Sequence, residues 1–178
     1  MPRNIEIKVR VDDLDAARTR ALALGARYLT TEKQADRYYR LEGNRRVKLR
    51  TINGQSAHLI EYNRPETSGV RTSDYTVTPV RDPDAQACLV PKGKALAVVS
   101  KQRVILLLDN VRIHLDRVDG LGTFLELEAV VDAAHNDATC REQIDRIMTA
   151  LGLTEGELVR ASYAELLSGC SGPISGYP

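Results

Sequence analysis

From Asn4 to Val11 the chain alternates strictly, with aliphatic Ile5, Ile7, Val9 and Val11 separated from polar or charged Asn4, Glu6, Lys8 and Arg10. Successive side chains of a β-strand point to opposite faces, so a period of two fits a half-buried strand and no helix. The pattern returns at Arg46-Val47-Lys48-Leu49-Arg50. It returns again at Asn110 to Val118, where Val111, Ile113 and Leu115 interleave with Arg112, His114 and Asp116, and at Phe124 to Val131, where Leu125 and Leu127 interleave with Glu126 and Glu128. Such a chain is committed to antiparallel strands with one apolar face and one densely ionic face. The ionic face lies either in bulk water or in a polar cavity, and that alternative decides the function.

Between these strands, Asp12 or Asp13 can cap a helix whose Leu14, Ala17, Ala21 and Leu24 share a face and which Gly25 ends. Tyr28 to Tyr39 reads as polar and irregular, with a short strand at Asp36 to Leu41 and a turn at Gly43-Asn44. Asn53-Gly54 predicts a hairpin into a strand over Ala57 to Tyr62. Pro65 to Gly69 reads as a loop, Val70 to Val80 as a strand with Arg71, Ser73 and Tyr75 on one face, and Asp84 to Leu89 as a short helix. Leu96 to Leu108 pairs with the following strand about Asp109-Asn110. From about Asp137 the period turns helical, with Ile144, Ile147, Met148 and Leu151 on one face and Gly152 past the end. A last helix is expected over Gly156 to Leu167. Residues 1–168 read as one domain, and the Ser-, Gly- and Pro-containing tail 169–178 as disordered.

A chain of 178 residues is long enough for one domain with a substantial core. With 25 Lys and Arg against 24 Asp and Glu, no overall field favours nucleic acid or an anionic membrane, so any strong positive potential is local. Cys88, Cys140 and Cys170 form an odd set without metal-ligand spacing, and no apolar run near the amino terminus reads as a signal peptide or membrane span. The expectation is a reduced, cytoplasmic protein with neither a membrane nor a nucleic-acid partner. His58, His114 and His135 are scattered, which disfavours a histidine-rich zinc site.

The ionic faces gather Lys8, Arg10, Arg46, Lys48, Arg50, Arg71, Lys101, Arg103 and Arg112 beside Glu6, Asp116, Glu126 and Glu128. Closed with this face inward, the sheet becomes a water-filled tunnel lined by charge, its apolar outer wall covered by helices. Such a lining suits a triphosphate, whose roughly four negative charges need several Lys and Arg donors to replace water. Carboxylates alone would repel it, but they become useful if they hold Mg²⁺ or Mn²⁺, hard ions that bridge protein and phosphate oxygens. Glu126 and Glu128, two apart on a strand, share a face, and Glu6 would reach the same ion from across the barrel. On the residues alone, an ordinary solvated sheet face stays open beside this reading.

Asn4-Ile5-Glu6-Ile7-Lys8 is similar to an ExExK signature, and Lys101-Gln102-Arg103, the run Arg112 to Glu128 and Ser162-Tyr163-Ala164-Glu165-Leu166-Leu167 extend the likeness. From Asn4 to about Leu167 the chain resembles the CYTH superfamily of triphosphate tunnel metalloenzymes, nearest its class IV adenylyl cyclase and thiamine triphosphatase branch. The resemblance implies an α+β fold, an eight-stranded antiparallel β-barrel with helices packed outside. It implies Glu6, Glu126 and Glu128 as ligands of Mg²⁺ or Mn²⁺. It gives Lys8, Arg10, Lys48, Arg50, Arg71, Lys101 and Arg103 as triphosphate contacts. Lys8 and Asp116 are the expected catalytic positions, Asp116 supporting a second metal or orienting water. The implied reaction is cyclisation of ATP to cyclic AMP and pyrophosphate. Hydrolysis of thiamine triphosphate, a nucleoside triphosphate or inorganic tripolyphosphate, and binding without turnover, are the alternatives. Self-association into a homodimer is left open. Two positions depart from the pattern: Asn4 stands where the signature begins with Glu, and Asn63 stands beside Arg64 where a lysine often precedes the loop. His114 is expected to line the lumen, Tyr75 to stack or fill space, and Tyr163 to pack near a helix end.

Overall fold

Each alternating stretch forms a strand in the computed structural model, which describes residues 3–40, 45–63, 71–80 and 96–169. The strands are β1 (Arg3–Arg10), β2 (Arg27–Arg40), β3 (Arg45–Ile52), β4 (Ser56–Asn63), β5 (Arg71–Val80), β6 (Ala97–Leu108), β7 (Val111–Val118) and β8 (Gly122–Val131). They run antiparallel in the order β1-β5-β4-β3-β2-β6-β7-β8, and β1 pairs with β8 to close the barrel. This is the eight-stranded architecture the resemblance implied. Asn53 and Gly54 both take positive φ, 52° and 68°, in the three-residue β3–β4 turn Asn53–Gln55, which the Gln55 amide closes by donating to the Ile52 carbonyl at 3.0 Å. The Asn53 side chain accepts from the Lys33 amide at 2.8 Å and ties the turn to β2.

The apolar core lies outside the barrel wall. Helix α1 (Leu14–Ala23) starts where the Asp13 side chain accepts from the amides of Asp15 and Ala16. Helix α2 (Asp137–Leu151) is capped by Asn136 and ends at Gly152, whose φ of 73° turns the chain away. Their buried faces, Leu14, Ala17 and Ala21 with Cys140, Ile144, Ile147, Met148 and Leu151, cover Ile5, Ile7, Val9, Ile113, Leu115, Leu125 and Leu127. Leu24, expected on the α1 face, is the C-cap and is exposed. Because the outward side chains are the aliphatic ones, the alternating partners must face the lumen.

Two expectations are corrected. Residues 27–40 form one 14-residue strand, where the sequence suggested irregular chain with a short strand at its end. Inward-facing Gln34 and Asp36 are buried while outward Lys33 and Arg37 are exposed, so both faces of β2 are polar and no apolar period marks it. The helix expected over 156–167 is instead a 3-10 turn (Glu155–Glu157), an extended link and a short helix α3 (Tyr163–Leu167). In the link, the Val159 amide donates to the Lys8 carbonyl at 2.7 Å. Ser162 and Glu165 then form a capping box that restarts the helix. The Gly43-Asn44 turn, Arg64, the Pro65 to Gly69 loop, the Asp84 to Leu89 helix, Cys88, Cys170 and the tail from 170 lie outside the described residues. Among the described residues no helix is long and apolar enough to cross a membrane.

Candidate active site

The inward faces enclose a cavity of about 350 Å³. Strand β1 contributes Glu6 and Lys8, β3 contributes Lys48 and Arg50, β6 contributes Lys101 and Arg103, and β8 contributes Glu126 and Glu128. The structure therefore brings eight of the predicted residues together. Arg10 is not among the residues lining this cavity. Its side chain donates to the Leu121 carbonyl at 2.6 Å and lies over the Phe124 ring, 4.5 Å from the centroid, and Arg10 itself is exposed. Arg71 takes its place on β5 opposite Glu6, and its side chain lies outside the described residues.

Two buried carboxylates fix the bases. Asp36 on β2 accepts from Arg50 through both oxygens at 2.7 Å and faces the Lys48 ammonium at 3.5 Å. Burial alone would raise its pKa, but Lys48 and Arg50 hold it well below the usual carboxylate range. Asp116 on β7 repeats the device for the second Lys-x-Arg pair. It accepts from Arg103 at 2.6 and 2.5 Å, from Lys101 at 3.1 Å and from the Tyr163 hydroxyl at 2.8 Å. Burial opposes its ionisation, and Arg103 and Lys101 override that and hold it low. Asp116 is fully buried and does not border the cavity. Asp116, expected to support a second metal or to orient water, lies behind Arg103 and Lys101 and accepts hydrogen bonds from both.

On β8, Glu126 is 3.2 Å from the ammonium of Lys8, its cross-strand partner on β1, and also accepts from Arg103. These two cations overcome the effect of burial and keep Glu126 ionised. Glu128 accepts from the Asn4 amide nitrogen and lies 3.3 Å from Arg112. His114 stands between the two glutamates, 3.7 Å from each. Burial and the nearby Arg103 charge depress its pKa, which favours the neutral ring expected of a lining residue. Burial, then Arg103, also brings the Lys101 ammonium down to about 7.

Sequence reasoning missed Glu32, Gln34, Asp36 and Tyr38, since β2 carries no apolar alternation to mark its inner face. Tyr163 packs at a helix end as expected, and it also lines the cavity. The capping box sets the start of α3, and from there the Tyr163 ring meets Phe124 edge-on at 5.0 Å. The Lys8 ammonium sits 3.8 Å from its centroid and that of Lys101 4.9 Å. With Tyr38, Val99 and Val118, these two rings form an apolar cluster beside the charged lumen.

Among the described residues the lumen is nearly neutral. Lys8, Lys48, Arg50, Lys101, Arg103 and Arg112 are matched by Glu6, Glu32, Glu126 and Glu128 on the lining and by Asp36 and Asp116 behind it. A polyanion gains little from such a balance unless a cation joins it. Glu6, Glu126 and Glu128 border one small space beside Lys8 and His114, and their hard oxygens fit a divalent ion. The buried Asn4 Oδ1, without a hydrogen-bond partner among the described residues, adds a neutral oxygen on the same wall. Among the described residues no three His, Cys, Asp or Glu side chains form a ready ligand cluster. An ion held by these oxygens would need further ligands to complete its shell, which water or phosphate oxygens can supply.

A family model, the CYTH domain, matches residues 2–163. MJ0240 of Methanocaldococcus jannaschii, named as a candidate adenylate cyclase, is 25% identical over 171 residues, which cover 91% of this chain and 97% of that protein. Adenylate cyclase CyaB of Aeromonas hydrophila is 26% identical over 172 residues, covering 91% of this chain and 87% of its own. Among solved structures, PH1012 of Pyrococcus horikoshii OT3 superposes with a TM-score of 0.81 at 28% identity, over 92% of this chain and 98% of that one.

Proposed function

The chain belongs to the CYTH domain family, and on that premise we propose that it is a divalent-metal-dependent enzyme that converts ATP to cyclic AMP and pyrophosphate inside the barrel. The observation that carries this reading is the two-part lining of one cavity. The ionic cradle of β1, β3, β6 and β8 continues into Ile60, Tyr62, Tyr75 and Val77 on β4 and β5, a wall of aliphatic and aromatic surface beside the charges. Inorganic tripolyphosphate has no use for such a wall. A nucleoside does, because its base is flat and apolar on its faces. The names carried by the two relatives, at 25% and 26% identity, support the same substrate class.

In this reading Lys8, Lys48, Arg50, Lys101 and Arg103 take the phosphate oxygens. Phosphoryl transfer asks a protein mainly for positioning and charge, so bases held rigid by buried Asp36 and Asp116 suit it better than mobile ones. Glu6, Glu126 and Glu128 would hold Mg²⁺ or Mn²⁺, which when bound supplies neutralisation of the phosphate charge. The ribose 3′-hydroxyl attacks the α-phosphorus and gives up its proton to solvent, while the bond from that phosphorus to the oxygen bridging to the β-phosphate breaks and pyrophosphate leaves with that oxygen. Lys8 and Arg103 face the charge that accumulates on the departing pyrophosphate.

Purified protein incubated with Mg²⁺ or Mn²⁺ and ATP, thiamine triphosphate or tripolyphosphate tests the proposal. Cyclic AMP and pyrophosphate in equal amounts are expected from ATP. Orthophosphate release instead would make the protein a triphosphatase, and tight binding with neither product would make it a binding protein.

A further inference from the structure

Gln34 lies in the middle of β2, opposite Lys101 of β6, and its side chain lines the cavity although it is only 4% exposed. Its amide is oriented by a neighbour two residues away on the same strand face. The Nε2 group donates to the Glu32 carboxylate at 2.5 Å, and since a carboxylate only accepts, the amide cannot be reversed without losing that bond. The orientation leaves Oε1 buried with no hydrogen-bond partner among the described residues. A buried acceptor without a donor is costly, and native proteins seldom keep one without a use. The bases nearby are otherwise engaged: Lys101 with Asp116, and Arg103 with Asp116 and Glu126.

A triphosphate cannot meet this need, because its ionised oxygens are themselves acceptors. A ligand group that carries a proton can. We propose that Gln34, held by Glu32, is a specificity-determining residue whose Oε1 accepts a hydrogen bond from a donor on the nucleoside half of the substrate, a ribose hydroxyl or an exocyclic base amine. This deepens the reading of the cavity as a nucleoside triphosphate site and rests on it. Lys and Arg select for charge, which every triphosphate has in common. Gln34 separates nucleotides from inorganic tripolyphosphate, and one nucleotide from another.

Calorimetric titrations with Mg²⁺ and non-hydrolysable ligands, methylene-bridged at both phosphoanhydrides, test this. The ligands are the analogues of ATP, 2′-deoxyATP, 3′-deoxyATP and inosine triphosphate, with the equivalent tripolyphosphate as the ligand lacking a nucleoside. For the unaltered protein, one of the three donor-deleted analogues is expected to bind about tenfold more weakly than the ATP analogue. A deoxy compound identifies the ribose and the inosine compound identifies the base. Gln34→Leu should bind the ATP analogue about tenfold more weakly, lose discrimination against that deleted analogue, and keep its tripolyphosphate affinity. Equal affinity of the unaltered protein for all four nucleotides overturns the assignment without need of the variant, as does an equal loss of tripolyphosphate binding in Gln34→Leu. If the unaltered protein binds tripolyphosphate and the ATP analogue alike, the assignment alone fails. If it binds no triphosphate at all, the cavity reading fails with it.

Discussion

Asp116→Asn is the most informative single change, because the side chain is fully buried and serves four donor groups at once. The substitution keeps shape and one acceptor oxygen but removes the charge that balances Arg103 and Lys101. Arg103 cannot lose its proton, so it is left buried against Glu126 alone. Lys101 can, since its pKa already stands at about 7 and falls further once Asp116 no longer raises it. Breaking a buried ion pair from one side costs about 3–5 kcal/mol. The escape open to Lys101 puts the expectation at the lower end, about 3 kcal/mol, or a fall in Tm of roughly 6–12 °C for a chain of this size. Urea denaturation at pH 7.5 in phosphate-free, metal-free buffer measures it. The pH dependence adds an independent check. The folded carboxyl of Asp116 is held below its unfolded value near 3.9, so its stabilisation is complete above about pH 4 and is lost as pH falls through the folded pKa. The variant should lack its share of that acid limb. A loss under about 1 kcal/mol, with an unchanged acid limb, would show that Arg103 is compensated from elsewhere and that Asp116 does not anchor it.

Glu126→Gln and Glu128→Gln should each abolish metal-dependent turnover while leaving the far-ultraviolet circular dichroism unchanged, and full activity in both would remove them from the metal site. Arg50→Ala should weaken tripolyphosphate binding more than monophosphate binding by calorimetry, because it takes a charge from the cradle. An equal loss for both ligands would count against that placement. For Lys101, a bound polyanion favours the ammonium and so raises its pKa above about 7. Tripolyphosphate affinity should therefore fall as pH rises above 7, by up to about tenfold per unit, relative to Lys101→Arg measured in parallel. Identical slopes would exclude Lys101 as the titrating group. Asn4→Glu should tighten Mn²⁺ binding, and an unchanged affinity would place position 4 away from the ion.

The strands whose outer face is aliphatic were legible, because Ile5, Ile7 and Val9, or Leu125 and Leu127, announce which side meets the helices and leave Glu6, Lys8, Glu126 and Glu128 for the lumen. Where both faces are polar the same logic has nothing to grip, and β2, with half of the base-fixing carboxylate pair, went unread. Alternation gives the face of a residue but not its depth. Arg10 and Asp116 both have the inward parity, yet one lies beyond Phe124 and the other beneath the bases. Tyr163 was beyond local reasoning of any kind, since its partner Asp116 stands 47 residues earlier and only the tertiary fold joins them.

The first strand does not pair with its neighbour in the chain. It waits for β8, so that Asn4 finds Glu128 across a separation of 124 residues, and Lys8 reaches Glu126 in the same event. Contacts so remote are assembled late and slowly. A nascent or partly folded copy therefore owns neither a finished wall nor a competent catalytic centre, and ligand capture would report, in one signal, that the last seam has been sewn.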